Sequence, residues 1–497
     1  MRYLGSTKVN HISVAGDDKF IVAIFRDDKK RERAFMDSLG RISDKGYYNL
    51  EKRNGDDFFE AEYDAESRQK VLISPEGEEI FVFGSRDEVH SFSDGFAVFE
   101  PDKAGRNYWV SDKGEIFGQE FNTVYDFSYG LGVAQLLNGN FVFVNTKFDI
   151  VSPEFEHIVP FFNENYTTAV VHGKTVVIDK NYNVVSDGFV DENGIKQDYK
   201  TIYYIDKNNI IYHYDSDKKL KFSLIGIDGK KLGTDHWSIA GFVDGICRVQ
   251  DPDGTGYVDL SGNYITNQKF INASDFKEGF AVVGGFDENR EFIFAFLKPD
   301  GTLLDFDSSY FKSHPEKSKN WIEFTSDFSE GLGTVIVKGT KRYAVDKTGK
   351  ILKGASWLGE FHSGLATYET KSKKKSYLNT KFESFSKEFD SASRFYGRFA
   401  VVANGDDYDV ILQNETMLSE ISKFAEQIEI NPRNIIMLPD YFFFDEKLIA
   451  NLFELSLDVA TKTDDQEYLQ ISKRISERLK ERVQEQANLN KLRGKNG

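Results

Sequence analysis

Eight histidines, one cysteine and an excess of carboxylates are the residues of this chain with chemistry to offer. His11, His90, His157, His172, His213, His236, His314 and His362 are never spaced i, i+2 or i, i+4 from one another, the spacings that let two imidazoles grip one metal ion. No histidine metal motif is therefore expected. Asp251-Pro252-Asp253-Gly254-Thr255-Gly256 alternates carboxylates as a calcium loop does, but Gly262 stands where the bidentate glutamate would be, so a β-turn is expected. Asp406-Asp407-Tyr408-Asp409 reads as an exposed acidic turn. Ser384-Phe385-Ser386-Lys387 matches Ser-x-x-Lys, a pattern that chance supplies in a chain rich in both residues. No phosphate loop, nucleophile elbow or dinucleotide fingerprint is present. The lone Cys247 excludes an internal disulfide and a multi-cysteine zinc site, and reads as a small buried residue. The sequence thus nominates no catalytic set, no cofactor and no metal centre. Trp237, Trp321 and Trp357 lie in loop-like stretches and are the candidate binding residues, able to stack on a sugar or anchor a protein.

Those side chains must be held by a large framework. The chain has 497 residues, and its 44 Phe, 24 Tyr and 4 Trp exclude disorder. Its net charge of −17 repels phosphate backbones and anionic lipid, so nucleic-acid binding is not expected. The first residues hold no basic stretch followed by an apolar run, and no membrane span is read, so the cytoplasm is the expected location.

The framework is repetitive. A Phe-x-x-Gly-(apolar) signature recurs as Phe92/Gly95, Phe127/Gly130, Phe242/Gly245, Phe276/Gly279, Phe328/Gly331 and Phe361/Gly364, with Phe395 and Gly397 slipped by one. Neighbouring glycines stand 35, 34, 33 and 33 residues apart at 95/130, 245/279, 331/364 and 364/397. After each signature come alternating runs such as Phe280-Ala281-Val282-Val283, then a second strand such as Gly256-Tyr257-Val258-Asp259, then a glycine turn such as Pro299-Asp300-Gly301 or Lys347-Thr348-Gly349. Each unit reads as a small antiparallel meander, and about eleven units fit the period. A lone meander cannot bury its aromatic face, so units must stack, with Phe filling the layer between sheets and the signature Gly allowing close backbone approach. Function would then lie on the connecting loops.

Near Asn414 the period changes. Met417, Ile421, Phe424, Ala425 and Ile428, and then Leu448, Leu452, Leu455 and Val459, follow helical spacing. Tyr468, Ile471, Ile475, Leu479 and Val483 form a thinner third stripe, in a segment with eight basic and five acidic residues from Asp465 onward. The expected organisation is a β-repeat array over 1–413, with a division near 190–240 as one option, followed by a helical domain over 414–497.

The best stretches, Phe92 to Ile116, Phe242 to Ile265, Phe276 to Leu303 and Phe328 to Leu352, resemble the WG-repeat (KWG) family of bacterial and phage proteins. The chain would be a divergent member: Thr255-Gly256 keeps only the Gly of the namesake dipeptide, and Asn107-Tyr108 and Arg342-Tyr343 replace both residues. The resemblance implies a mainly β fold of tandem meanders, as one or two β-propeller-like domains or a β-solenoid-like stack, mostly without assigned catalysis. The expected function is a non-enzymatic scaffold for protein–protein interaction or assembly, through 414–497 or through loops. The alternatives are a structural component of a phage virion or similar particle, and a carbohydrate-binding or glycan-processing propeller.

Overall fold

The computed structural model describes residues 2–16, 18–26, 30–66, 69–103, 105–219, 222–286, 292–306, 322–337, 341–437, 445–463 and 466. The fold is mainly β, a succession of propeller-like antiparallel blades with an α-helical C-terminal region. It divides into two compact units, one of Met1–Lys52, Phe59–Ser67 and Phe361–Gly497, the other of Arg53–Phe58 and Arg68–Glu360.

In the second unit the repeat resolves into three- and four-stranded meanders. One runs Glu88–Val89, Phe96–Glu100, Tyr108–Ser111 and Ile116–Phe117; another is Ser238–Val243, Ile246–Asp251 and Gly254–Asp259. The signature is itself a hairpin turn. Asp94 and Gly95 have φ of 52° and 85°, Asp244 and Gly245 51° and 79°, Glu278 and Gly279 51° and 85°, and Glu330 and Gly331 54° and 81°. Two successive left-handed residues make the two-residue loop whose twist suits paired strands. Ser93 N–H donates to Phe96 O (2.8 Å) and Phe96 N–H donates back to Ser93 O (3.0 Å), closing it. The copy in the first unit has the same form, with Ser363 and Gly364 at 55° and 79°.

The second turn of several meanders is built on an Asp or Asn side chain, and that after Tyr108–Ser111 on the Ser111 hydroxyl. Asp259 Oδ1 accepts the N–H groups of Ser261 (2.8 Å) and Asn263 (3.0 Å), and Asp346 Oδ1 those of Thr348 (2.9 Å) and Lys350 (3.1 Å). The side chain thereby imitates a backbone turn.

The two classes of glycine do different work, and the expectation of close backbone approach at the signature glycines is corrected. Around Gly95, Gly130, Gly279, Gly331 and Gly364 an added methyl would meet nothing within 4 Å. At Gly245 it would meet only the Leu260 side chain, 3.8 Å away, which is ordinary van der Waals contact. These six positions, Gly245 and Gly364 included, need glycine for the turn dihedral and not for packing. Close approach belongs to the other turn: a methyl on Gly114, Gly301 or Gly349 would sit inside the carbonyl oxygen of Ile80, Ile265 or Asp305, about one repeat earlier in the chain.

The signature phenylalanines fill the layer between sheets as expected. Phe127 packs on Phe96 and Trp109 of the preceding sheet, with centroids 4.9 and 5.0 Å away, and Phe328 on Phe280 and Phe296, at 4.4 and 4.8 Å. Phe92 stacks on Phe58 (4.1 Å), Phe276 meets Tyr257 edge-on (5.4 Å), and Phe242 meets Tyr212 (6.5 Å). In the first unit Phe361 is buried against Phe382 (6.2 Å). Core clusters of the second unit draw on successive sheets; one joins Val98 and Trp109 to Val124, Phe127 and Ala134. A fully buried Phe contributes about 1.5–3 kcal/mol, and no single sheet could bury its own. Polar ties run alongside. Trp109 Nε1 donates to Tyr125 O (2.8 Å) and Tyr257 Oη to Ser274 O (2.6 Å), each on the next sheet. Asp94 accepts from Gly130 N–H (2.7 Å), and Glu278 from Glu330 and Gly331 N–H (2.7 and 2.8 Å), so one signature turn holds the next.

The first unit joins the two ends of the chain. Arg2–Tyr3, Val9–Gly16, Lys19–Arg26, Lys30–Asp37 and Arg41–Tyr47 form a five-stranded sheet in which the first and fifth strands pair at one edge. Helix α1 (Leu418–Ile430) and helix α2 (Glu446–Lys462) bury Leu418, Ile421, Ala425, Ile428, Leu448, Leu452 and Leu455 in one core with Phe20, Val22 and Ile42 of that sheet and Phe399 and Val410 of the last meander. Asp445 caps α2 by accepting Leu448 N–H (2.9 Å). Its carboxylate also pairs with Arg398, which reaches Asp18, itself paired with Lys447. The third helical stripe, Tyr468 to Val483, lies outside the described residues.

Candidate functional site

In the second unit the two ends of the sheets differ in kind. Signature turns and Asp/Asn turns share one end, where Asp112 N–H donates to Gly95 O (3.0 Å). These turns are short, alike and tied to their neighbours. At the opposite end the connections are unequal: seven residues between Glu100 and Tyr108, five between Gln135 and Phe141, two between Val171 and Lys174, and two between Asp251 and Gly254. Large apolar side chains stand exposed there: Leu137 is 82% exposed, Phe286 60%, Ile271 58% and Trp237 44%. Phe286 and Phe292 oppose each other across their hairpin, with ring centroids 5.4 Å apart.

This end also carries a cleft of about 520 Å³ lined by Gly84, Ser85, Arg86, Asp87, Pro101, Asp102 and Lys103. Asp87 shapes it by accepting the N–H groups of Gly84 (2.7 Å) and Asp102 (2.9 Å), which ties the two lining loops together. From these loops the paired strands lead to Glu88, His90 and Glu100, whose ligand atoms lie within 4.8 Å of one another. Glu88 and Glu100 are register partners, and alternation puts Glu88 and His90 on one strand face. His90 Nε2 lies 3.2 Å from Glu100 Oε1, and His90 Nδ1 lies 3.3 Å from Asp126 Oδ1. Asn107 Nδ2 donates to the same Glu100 oxygen (2.9 Å). A search for paired histidines passes over this group because it has one histidine and gathers the rest across strands.

A buried polar group lies elsewhere, between the strand Lys231–His236 and the next sheet. Asp251 Oδ1 lies 2.7 Å from His236 Nδ1; Asp251 Oδ2 accepts from Tyr264 Oη (2.6 Å) and from Lys269, whose ammonium lies 3.7 Å from the Tyr264 ring centroid. Burial alone would raise the Asp251 pKa, but the hydrogen bonds from His236, Lys269 and Tyr264 hold it below the usual carboxylate range. Burial and then the Asp251 contact push the Tyr264 hydroxyl up. Apart from His236 Nε2, which is buried without a hydrogen-bond partner, these groups satisfy one another, and the arrangement is a joint between sheets. Lys231 makes a second joint, 2.6 Å from Glu192 and 2.9 Å from Asp235.

The residues singled out by sequence do not converge. Trp237 lies at the loop-bearing end, its N–H donating to Gln250 O (2.8 Å). Trp357 is half-buried under the Arg342 guanidinium, 5.5 Å from the ring centroid. Trp321 lies outside the described residues. Asp251 to Gly254 is a hairpin turn whose first carboxylate faces inward. Asp406 and Asp407 are exposed in a turn, while Asp409 accepts from Ser419 Oγ (2.5 Å) at the start of α1. Lys387 donates to Glu415 O (2.7 Å). Cys247 is buried, with its thiol pushed up to about 12 by burial. Sequence reasoning missed Trp109 and Tyr257 as anchors; the signal was an aromatic at the same place in the second strand, followed some sixteen residues on by its acceptor.

No family model and no curated protein matches the chain. Among solved structures it is similar to the extracellular domain of BT3049 from B. thetaiotaomicron, at 11% identity over 82% of this chain and 64% of that one, with a TM-score of 0.21. It is also similar to BamB from Moraxella catarrhalis (8%, 63% and 86%, 0.23) and to AztD from Citrobacter koseri (13%, 64% and 91%, 0.20). The chain thus spans just under two thirds of the BT3049 domain. At these identities and scores the likenesses carry no argument about ligand or partner. Among the described residues no helix is long and apolar enough to cross a membrane.

Proposed function

We propose that this chain is a non-enzymatic scaffold that binds a protein partner through the loop-bearing end of its second unit, as a divergent WG-repeat array. The asymmetry between the two sheet ends carries the reading. One end is uniform and stapled turn to turn, while the other presents unequal loops with Leu137, Trp237, Ile271 and Phe286 in solvent. Exposed aromatic and aliphatic side chains rimmed by charge suit a protein interface, and aromatics dominate the energy of such interfaces.

The test is cross-linking mass spectrometry on the full chain in cells that make it, comparing wild type with Trp237→Ala/Phe286→Ala. A partner cross-linked at this end and lost from the double variant is expected, with both proteins showing the same melting temperature. Cross-links confined to the signature-turn end, or unchanged in the variant, would sink the reading. Trp237 also suits stacking on a sugar ring, so a glycan array is the second arm; saturable glycan binding abolished by Trp237→Ala would move the assignment to carbohydrate recognition.

A further inference from the structure

Glu88, His90, Glu100 and Asp126 put three carboxylates around one imidazole. Among the described residues no lysine or arginine pairs with any of the three. Glu88 and Glu100 face each other directly across an antiparallel pair, where like charges destabilise the ladder. The sheet keeps this arrangement beside the cleft, with Glu88 next to Asp87 and Glu100 two residues before Asp102, and a cation would supply the counter-charge that this exposed to half-buried group lacks.

The spacing of the ligand atoms is compatible with a metal ion. Bonds of about 2.0–2.2 Å to a tetrahedral zinc set ligand atoms roughly 3.3–3.6 Å apart, and His90 Nε2 and Glu100 Oε1 are already 3.2 Å apart. The surroundings follow the pattern of an outer shell. Asp126 stands one repeat after His90, on the next sheet, and faces Nδ1, while Nε2 points at Glu100; Asn107 donates to the Glu100 carboxylate. A carboxylate behind the imidazole and an amide on the ligating carboxylate are the contacts that orient metal ligands.

We propose that Glu88, His90 and Glu100 bind a divalent transition-metal ion of the zinc type, with Asp126 and Asn107 as positioning residues. One imidazole with two carboxylates is a borderline nitrogen–oxygen set suited to zinc, and it leaves a fourth position for water or for a donor from a bound partner. The ion would cancel the Glu88–Glu100 repulsion and, through His90 and Asp126, clip two successive sheets.

The experiment is calorimetric titration of the chelator-treated full chain with zinc chloride, repeated on His90→Gln, Glu100→Gln, Asp126→Asn and, as a remote control, Asp217→Asn. About one zinc per chain is expected, with binding lost in His90→Gln and Glu100→Gln, weakened about 10- to 100-fold in Asp126→Asn, and unchanged in Asp217→Asn. Zinc should raise the melting temperature of wild type and leave His90→Gln unmoved. Far-UV circular dichroism identifies any variant that fails to fold, and the isosteric Glu100→Gln then decides. Absence of saturable zinc binding to wild type, or equal affinity in a folded His90→Gln or Glu100→Gln, overturns the proposal and leaves His90 as a polar link between Glu100 and Asp126.

Discussion

His213 is 1% exposed, its Nε2 accepts Lys200 N–H (3.1 Å), and its ring lies among Phe189 and Tyr199, with centroids 5.0 and 6.0 Å away. Burial holds its pKa down at about 4, whereas in the unfolded chain it titrates near about 6.5. Protonation therefore favours the unfolded chain. The contribution of neutral His213 is complete above pH 6.5, falls as pH drops toward 4 and is gone below, a change on the order of 3 kcal/mol. Urea unfolding between pH 7 and 4 should show this slope in wild type and a flatter one in His213→Gln; parallel slopes would refute it. Nothing in the sequence singled out this histidine, because burial depends on neighbours contributed by other strands.

Turns are the elements most legible from sequence, and their chemistry shows why. Phe-x-x-Gly revealed itself because two consecutive left-handed residues and one inserted aromatic restrict the residue types allowed. The sequence could not say which glycine meets the preceding sheet, since that contact involves residues about one repeat away. The difference is measurable. Gly279→Ala should cost about 1–2 kcal/mol, from left-handed strain alone. Gly301→Ala, with the same strain and the Ile265 carbonyl in the way, should cost at least about 2 kcal/mol more. Equal losses in guanidinium unfolding would contradict the two roles. The His90 group was illegible for a related reason: Glu88 and Glu100 share a face by register, and Asp126 arrives from the next sheet.

At the scale of the whole chain, the helical stripes were readable in the tail, but nothing in their spacing told that α1 and α2 share a core with residues some 400 positions earlier. Pairings so distant leave no local trace. Arg398 makes the union testable, because it joins Asp18 of the first sheet to Asp445 at the start of α2. Arg398→Leu should destabilise by about 2–3 kcal/mol, leaving two half-buried carboxylates without their shared partner. Asp445→Asn, which keeps the helix cap, should be milder than Asp445→Ala by about 1 kcal/mol. Hydrogen exchange should accelerate first in α2; uniform acceleration over the chain would count against a local clamp.

The hold of Asp94 on Gly130 and of Glu278 on Gly331 bears on how such a chain can diversify. Insertions at Asp94 or Glu278 would cut a strut on which the neighbouring sheet depends. A foreign peptide spliced at Asn138, in the loop between Gln135 and Phe141, would leave every strut intact. Novelty can therefore accumulate on one side of the molecule without renegotiating the other, which makes the array a natural display platform.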